Sequence, residues 1–230
     1  MKTVDDFKEG QLILIDKPLK WTSFQVVNKV RWHIKKTFDL KKIKVGHAGT
    51  LDPLATGLLV ICTGKMTKQI QRYQAQSKTY TGTLTLGSTT PSYDLETDID
   101  TTFPTAHITE KIILETAEKF IGNIEQYPPI FSALKKDGKR LYDLARSGTP
   151  VAVEPRTIRI DKFNITNIDE QNIHFEVHCS KGTYIRSLAH DFGKALNSGA
   201  HLSGLRRTAI GDFSVENAIT IDEFIQNLVQ

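Results

Sequence analysis

The sequence contains little cysteine, with Cys62 and Cys179 as the only two in 230 residues. Both lie in apolar, strand-like runs, which favours buried free thiols over a disulfide framework. The longest apolar run, Leu58 to Cys62, is far shorter than the ~20 residues of a membrane-spanning helix. The N-terminal residues lack the apolar stretch of a secretory leader. We therefore expect a cytoplasmic protein that makes no use of a membrane.

The excess of positive charge is slight, with 30 lysines and arginines against 26 aspartates and glutamates. Its distribution along the chain is uneven. Basic residues cluster at Lys35-Lys36, Lys41-Lys42-Lys44, Lys135-Lys136, Lys139-Arg140 and Arg206-Arg207, whereas Asp94, Glu96, Asp98 and Asp100 form one acidic stretch. Basic clusters at several loops suit a polyanionic partner, although a solvated surface is the commoner explanation of any single cluster.

Three common kinds of site are absent from the sequence. A phosphate-binding loop requires four residues between its glycines, but six separate Gly57 from Gly64. His174 and His178 lie four residues apart on a predicted strand, which separates them by roughly 13 Å and disfavours a shared metal ion. The chain has no G-x-S-x-G elbow for a serine nucleophile. We predict a site without metal or cofactor.

The pattern of apolar residues predicts strands that are joined by hairpins as often as by helices. Predicted strands cover residues 11–16, 58–62, 78–86, 157–166, 172–179 and 203–213, and predicted helices follow Thr22, Lys65, Thr109, Arg140, Thr183 and Ile221. In the helix after Thr109 we expect Ile112, Ile113, Ala117, Phe120 and Ile121 to face the core. Residues 87–107 lack periodicity and are predicted to form an exposed loop. No linker divides residues 1–230, so we predict one domain of the α+β class with a mixed, mainly antiparallel sheet flanked by helices.

The stretch 45–64 carries the main candidate residue. Residues 46–57 are predicted to form a twelve-residue loop with glycines at positions 46, 49 and 57. The fully apolar run Leu58 to Cys62 follows this loop, which predicts a special backbone held on a buried strand. Asp52 lies in the middle of the loop. Pro53 disfavours the helical conformation for Asp52, which would aim its side chain. Such a carboxylate can act on a substrate as a nucleophile or bind a ligand. It can equally be a turn residue that accepts hydrogen bonds from nearby backbone N–H groups, and the loop alone favours neither explanation.

Two other residues would complete a nucleophilic site. Arg186 falls in the first turn of a predicted helix, where a cation opposes the helix dipole and is better explained by an anionic neighbour. A carboxylate beside a buried arginine stays ionised and can attack an electrophile without a metal. Tyr80 lies on a predicted strand. A tyrosine at such a position more often packs in the core, with its hydroxyl at the surface, than contacts a substrate.

Several motifs together resemble the TruB family of tRNA pseudouridine synthases. The segment Gly46 to Gly57, Gly-His-Ala-Gly-Thr-Leu-Asp-Pro-Leu-Ala-Thr-Gly, resembles the catalytic loop of that family. The further matching motifs are Ile15-Asp16-Lys17-Pro18 with Trp21-Thr22-Ser23, Lys78-Thr79-Tyr80, Tyr127-Pro128-Pro129 through Ser132-Ala133-Leu134-Lys135 with Gly138-Lys139-Arg140, Cys179 through Arg186, and Leu205-Arg206-Arg207. Agreement at five or more separate places is far more specific than any single motif.

The resemblance implies the pseudouridine synthase fold, with an active-site cleft across the sheet, and conversion of uridine 55 in the T loop of tRNA to pseudouridine. Asp52 would be the nucleophile, Arg186 its ion-pair partner and Tyr80 the ring stacked on the target base. His47 and Lys17 would be active-site or RNA contacts, Leu205 an apolar wall of the base pocket and Asp94 a polar member of the site. Whether the carboxylate attacks the uracil ring or the ribose carbon is left open.

The chain departs from the family pattern in two respects. Lys20 stands where much of the family has glycine. The small C-terminal RNA-binding domain of the PUA type is not recognisable, so we expect an isolated T-arm stem-loop to be modified nearly as well as whole tRNA. We also expect a monomer. Two alternatives belong to other classes: an RNA-binding or tRNA-folding module without catalysis, and a guide-RNA-dependent enzyme acting on ribosomal RNA.

Overall fold

The computed structural model describes residues 2–132, 134–136, 138–147 and 152–229. These residues form helices and strands in alternation along the chain. The α-helices are α1 (Val4–Glu9), α2 (Ser23–Thr37), α3 (Ile70–Gln74), α4 (Glu110–Glu118), α5 (Leu141–Arg146), α6 (Ile185–Ala195) and α7 (Ile221–Val229), with 3₁₀ helices at Gly64–Gln69 and Val215–Asn217.

Each of the six strands predicted with bounds is present, displaced by at most three residues at either end. The strands are β1 (Leu12–Lys17), β2 (Val45–His47), β3 (Ala55–Thr63), β4 (Lys78–Leu86), β5 (Ser88–Thr89), β6 (Thr101–Thr102), β7 (Gly122–Gln126), β8 (Lys135–Lys136), β9 (Lys139–Arg140), β10 (Arg156–Asp169), β11 (Asn172–Cys179), β12 (Ala200–Ile210) and β13 (Phe213–Ser214). Strands β4 and β11 match their predicted bounds residue for residue.

Local sequence signals explain several of these boundaries. Thr22 caps α2, because its side chain accepts a hydrogen bond from the Gln25 backbone N–H, while the Thr22 backbone N–H donates to the Gln25 side-chain oxygen. Strands β8 and β9 form the hairpin that the Asp137-Gly138 pair predicts, with Gly138 in the left-handed region at φ +80°. Asp137 itself, and Gly148, at which the sequence predicts the end of the helix after Arg140, lie outside the described residues.

The chain divides into two compact units, and the prediction of one catalytic domain over residues 1–230 stays a prediction. The first unit comprises Met1–Tyr80 and Leu205–Gln230, and the second comprises Thr81–Gly204. Strands β4 and β12 each contribute one part to each unit.

In the first unit β3 is the central strand. It pairs antiparallel with β1 and β2, and its first residues pair in parallel with Leu205 to Arg207 of β12. Leu59 and Ile61 pack with α2 and α7 on one face, whereas Leu58, Val60 and Cys62 pack on the other. Because both faces of β3 are covered, its sequence is continuously apolar instead of alternating.

In the second unit β10 lies between β7 and β11, antiparallel to both. Four rings, from Phe120, Phe163, Phe175 and Phe192, meet edge-to-face or tilted with centroids 5.6–6.3 Å apart. The apolar residues Ile185, Leu188, Ala189 and Phe192 of α6 are buried. A parallel pairing of β3 with β12, beside antiparallel pairings of β3 with β1 and of β10 with β7 and β11, confirms the mixed, mainly antiparallel α+β class.

Two predictions for the second unit are wrong. The segment 87–107 is not uniformly exposed, because it contains β5 and β6 and buries Ser88, Thr90, Ser92 and Asp94. Ile112 in α4 and Ile121, which follows the helix, are 37% and 47% exposed instead of facing the core. Thr116 is buried instead, so the inward face of α4 is narrower than its apolar residues indicate.

Both cysteines are buried free thiols, as predicted. Burial raises the pKa of Cys62 to about 11, so its thiol stays protonated near neutral pH. Among the described residues, no helix combines the length and the apolar character that crossing a membrane requires.

Candidate active site

Asp52 lies on a short connection between β2 and β3. The connection covers residues 48–54, shorter than the predicted twelve-residue loop because residues 55–57 already belong to β3. Asp52 is half-buried, and its backbone carbonyl accepts a hydrogen bond from Ala55 N at 3.1 Å. The carboxylate is therefore carried by a tight turn that leads directly into a buried strand.

Arg207 holds this connection from within the protein. Its side chain is 1% exposed, and its guanidinium donates to the carbonyl oxygens of Leu58 at 2.8 Å, Gly49 at 3.0 Å and Thr50 at 3.4 Å. The interpretation of Arg206-Arg207 as a basic cluster for a polyanion is wrong for Arg207. It uses its charge and its donors to fix the backbone before Asp52.

The residues on either side of Asp52 are tied to the segment before α2. The buried Ser23 hydroxyl donates to Leu51 O at 3.0 Å and accepts from Leu51 N at 2.8 Å. Lys20 N donates to Pro53 O at 2.8 Å. Asp52 thus lies between two anchored neighbours, which limits how far its backbone can move.

Lys20 adopts φ +65°, the left-handed conformation that glycine adopts without steric cost. This explains how the chain follows the path expected of a glycine at that position. Lysine is accommodated there at an energetic cost.

Lys17 and His47 lie near this connection. Lys17 is fully buried and His47 is half-buried. The Lys17 ammonium is fully buried and donates to Pro18 O at 2.9 Å and Trp21 O at 2.6 Å. Burial lowers the pKa of Lys17 to about 8, while the nearby Asp52 carboxylate raises it. Burial and the charge of Arg207 lower the pKa of His47, which keeps the imidazole neutral near pH 7.

Tyr80 and Leu205 lie on the two strands that continue into the second unit. Tyr80 is 8% exposed near the start of β4. Leu205 is half-buried on β12, paired with Ala55, three residues after Asp52. The first unit therefore contains five of the predicted site residues, namely Asp52, His47, Lys17, Tyr80 and Leu205.

Arg186 and Asp94, the other two predicted site residues, meet in the second unit. Arg186 Nε lies 3.7 Å from Asp94 Oδ2, and both side chains are at least nine-tenths buried. Arg186 Nη1 also donates to Ser92 O at 3.1 Å. Asp94 Oδ1 accepts from Glu96 N at 3.0 Å, which fixes the carboxylate that faces the guanidinium.

Sequence reasoning did not assign the supporting roles of Arg207, Ser23 and Ser92. Two of them lie in motifs that mark the resemblance, the segment after Pro18 and the Leu-Arg-Arg motif, but no local pattern distinguishes a buried arginine from an exposed one. Their function depends on which backbone carbonyls the fold brings to them. Chemically, the first unit offers a half-buried carboxylate on a fixed turn near a buried ammonium. The second unit offers a buried arginine–carboxylate pair.

Family models match the entire second half and much of the first half of the chain. The model of the TruB family pseudouridylate synthase N-terminal domain matches residues 35–185, and that of the tRNA pseudouridylate synthase B C-terminal domain matches residues 186–230.

Individual relatives extend the similarity to nearly the whole chain. The chain is 61% identical to tRNA pseudouridine synthase B of Flavobacterium johnsoniae, over 98% of this chain and 99% of that protein. It is 56% identical to the protein of the same name in Phocaeicola vulgatus, over 98% and 96%. The crystal structure of a Cbf5–Nop10–Gar1 complex contains a chain that is 31% identical with a TM-score of 0.73, over 98% of this chain and 56% of that chain. The chain therefore belongs to the TruB family of pseudouridine synthases, which are isomerases.

Proposed function

We propose that this protein converts uridine 55 in the T loop of tRNA to pseudouridine, with Asp52 as the nucleophile. The observation that carries the proposal is the combination of a fixed, half-buried Asp52 with 61% identity to a protein named tRNA pseudouridine synthase B. The anchoring of Leu51 and Pro53 supports a role in which the carboxylate must be held in one position.

The reaction moves one bond and leaves the composition of the nucleoside unchanged. The Asp52 carboxylate forms a C–O bond with the nucleoside, at either uracil C6 or ribose C1′, and the C1′–N1 glycosidic bond breaks. The base turns within the pocket, a C1′–C5 bond forms and the carboxylate leaves. The hydrogen on C5 passes to solvent and N1 takes up a proton, so the net reaction is an isomerisation.

The remaining site residues take the following roles in this proposal. Arg186 is the ion-pair partner that keeps Asp52 ionised, and Asp94 orients the guanidinium through their contact at 3.7 Å. Tyr80 stacks on the target base, and Leu205 forms an apolar wall beside it. His47 and Lys17 line the site or contact the RNA.

The target uracil must leave the folded T loop before Asp52 can reach it. Flipping a base out of its stack costs a few kcal/mol, which aromatic stacking in the pocket and contacts to phosphates offset. The T-arm stem-loop is therefore the RNA partner that we propose, because it contains both the target base and the neighbouring phosphates.

Tritium release from a T-arm transcript that contains 5-tritiated uridine tests the proposal. We expect release with the wild-type protein and none above background with Asp52→Asn, which keeps the size of the side chain but removes its charge. Asp39→Asn is the matched control, because Asp39 is exposed and its φ of +48° suits asparagine equally well. We expect this control to retain wild-type activity.

Each alternative gives a different result in the same assay. Binding of the transcript without tritium release by the wild type would contradict the proposal and favour an RNA-binding module. Release only after addition of a guide RNA would favour a guide-dependent enzyme. Full activity of Asp52→Asn would refute the assignment of the nucleophile.

A further inference from the structure

An aromatic stack lies one helical turn from Arg186. The rings of Tyr93 and His190 have centroids 3.9 Å apart and an interplanar angle of 15°. His190 follows Arg186 by four residues on α6, so the two side chains lie on the same face of the helix. Tyr93 directly precedes Asp94, which contacts Arg186.

Tyr93 occupies an unfavourable backbone conformation. Its φ is +64°, in the left-handed region where bulky side chains are rarely found. Tyr93 N donates to Thr90 O at 3.1 Å, and Tyr93 O accepts from Leu202 N at 2.9 Å. The surrounding structure therefore enforces this conformation, which directs the ring of Tyr93 onto His190.

The segment 90–94 contacts α6 at two positions. At the first, Arg186 Nη1 donates to Ser92 O at 3.1 Å and Arg186 Nε lies 3.7 Å from Asp94 Oδ2. At the second, the Tyr93 ring covers His190. Within the segment, the Asp94 carbonyl accepts from Thr90 Oγ1 at 2.6 Å and Ser92 Oγ at 3.1 Å, so the segment moves as one piece.

We propose that the Tyr93–His190 stack is a positioning device that sets the placement of Asp94 and, through it, the orientation of the Arg186 guanidinium. The segment 90–94 meets the Arg186 guanidinium through the 3.7 Å contact with Asp94 and the 3.1 Å bond to Ser92 O, so the orientation of the guanidinium depends on where this segment lies. The stack supplies a second, rigid attachment of the same segment to the same helix. The catalytic consequence rests on the proposed function, in which Arg186 is the partner of Asp52.

The surroundings of His190 and Tyr93 keep both rings uncharged, which suits stacking. Burial and the positive charge of Lys194 lower the pKa of His190, and Asp100 opposes this shift. Burial, Asp191 and Asp100 raise the pKa of Tyr93. Both rings are therefore neutral near pH 7, and the stack does not depend on charge.

The test compares four single variants in the T-arm tritium-release assay. Tyr93→Gly removes the ring and accepts the positive φ freely, so folding is spared. His190→Ala removes the other ring, and His190→Phe keeps an aromatic ring there. Phe120→Ala is the control, because it disturbs the phenylalanine cluster of the same unit away from Asp94.

We expect kcat to fall at least tenfold in Tyr93→Gly and His190→Ala, with KM within threefold of wild type. His190→Phe should restore kcat to within threefold, whereas Phe120→Ala should lower the Tm and keep kcat. Adding His190→Ala to Asp94→Asn should cause no further loss if the stack acts through Asp94. Wild-type kcat in His190→Ala, or no rescue by phenylalanine, would overturn the proposal.

A measurement that needs no activity separates this proposal from the proposed function. The ¹⁵N signal of Arg186 Nε, assigned with Arg186→Lys, reports the surroundings of the guanidinium in the free protein. We expect it to shift in Tyr93→Gly and His190→Ala and to return in His190→Phe. An unchanged signal in both ring-removal variants would overturn the positioning role, even if the wild type is active. If the wild type is inactive but the Arg186 signal shifts in both ring-removal variants, only the proposed function is refuted.

Discussion

Arg207 and Gly49 are joined by a hydrogen bond from Nη2 of the arginine to the carbonyl oxygen of the glycine, at 3.0 Å. Gly49 has φ +101°, and a Cβ at that position would lie 3.5 Å from Arg207 Nη1. The glycine therefore permits the backbone shape, and the arginine holds it. The conformation of the chain before Asp52 depends on both residues.

Replacing Arg207 with methionine should destabilise the protein strongly. The change removes the donors to the carbonyl oxygens of Leu58, in a buried bond, and of Gly49 and Thr50, in partly buried bonds. Because each unsatisfied buried group costs roughly 1–3 kcal/mol, we expect a loss of about 3 kcal/mol or more in the free energy of unfolding, measured by urea denaturation. Tritium release by the folded protein should fall as well, since the Asp52 turn loses its support.

Arg206→Met is the matched control for this change. Arg206 is the neighbouring residue, with its side chain 40% exposed, and it pairs with Asp16 at 2.6 Å. A partly exposed ion pair contributes about 0–1 kcal/mol, so the control should lose little stability. Equal losses of stability in the two variants would show that Arg207 does not hold the backbone before Asp52.

Substitution of alanine at two glycines should have unequal effects. Gly57 and Gly49 both have φ near +100°, so either alanine variant strains the backbone by roughly 1–3 kcal/mol. At Gly57 the new Cβ would also collide with the backbone carbonyl of Arg207, where β3 and β12 pair. At Gly49 the nearest atom is at an ordinary contact distance of 3.5 Å.

We therefore expect Gly57→Ala to lose at least about 3 kcal/mol in the free energy of unfolding, because overpacking adds to the strain. Gly49→Ala should lose about 1–2 kcal/mol. Thermal and urea unfolding of both variants would measure the difference. A larger loss in Gly49→Ala than in Gly57→Ala would contradict this account.

Sequence patterns predicted the fold well where periodicity reflects burial. The bounds of β4 and β11 follow from alternating residues, and the start of α2 follows from the cap at Thr22. Helix α1 was not predicted, because it is six residues long and buries only Phe7. Burial in segment 87–107 depends on polar residues such as Ser92 and Asp94, which no hydrophobic pattern reveals.

The sequence indicates candidate site residues but not their contacts. Asp52 is proposed from its loop and Arg186 from its position in the first turn of a helix, and both assignments stay predictions. The bonds from Arg207 and Ser23 to the turn join residues that are 28 to 158 positions apart in sequence. Such partners follow from the tertiary fold, which local patterns do not encode.

Replacing Lys20 with glycine should stabilise the protein. Lys20 has φ +65° and donates its backbone N–H to Pro53 O at 2.8 Å, a bond that glycine keeps. Relief of the left-handed strain exceeds the entropy cost of glycine in the unfolded chain, so we expect a gain of roughly 0.5–1 kcal/mol in the free energy of unfolding. Lys20→Ala, which removes the side chain but keeps the strain, should show no gain. Equal stability of the two variants would contradict the explanation.

The buried Lys17 should give the stability of the protein a specific pH dependence. Its pKa is lowered from 10.5 to about 8 in the folded protein, chiefly by burial. Between about pH 8 and 10.5 the unfolded chain therefore binds more protons at Lys17 than the folded protein does. A group with this difference makes the free energy of unfolding rise with pH across that window.

Comparison with Lys17→Met isolates this contribution from the other groups that titrate at high pH. The free energy of unfolding of the wild type minus that of the variant should increase by about 1 kcal/mol per pH unit between pH 8 and 10. Urea denaturation at half-unit intervals of pH would measure it. Below pH 8 the difference should be constant, because Lys17 is charged in both states there. Parallel profiles of the two proteins from pH 7 to 10 would show that the Lys17 pKa is not lowered in the folded protein.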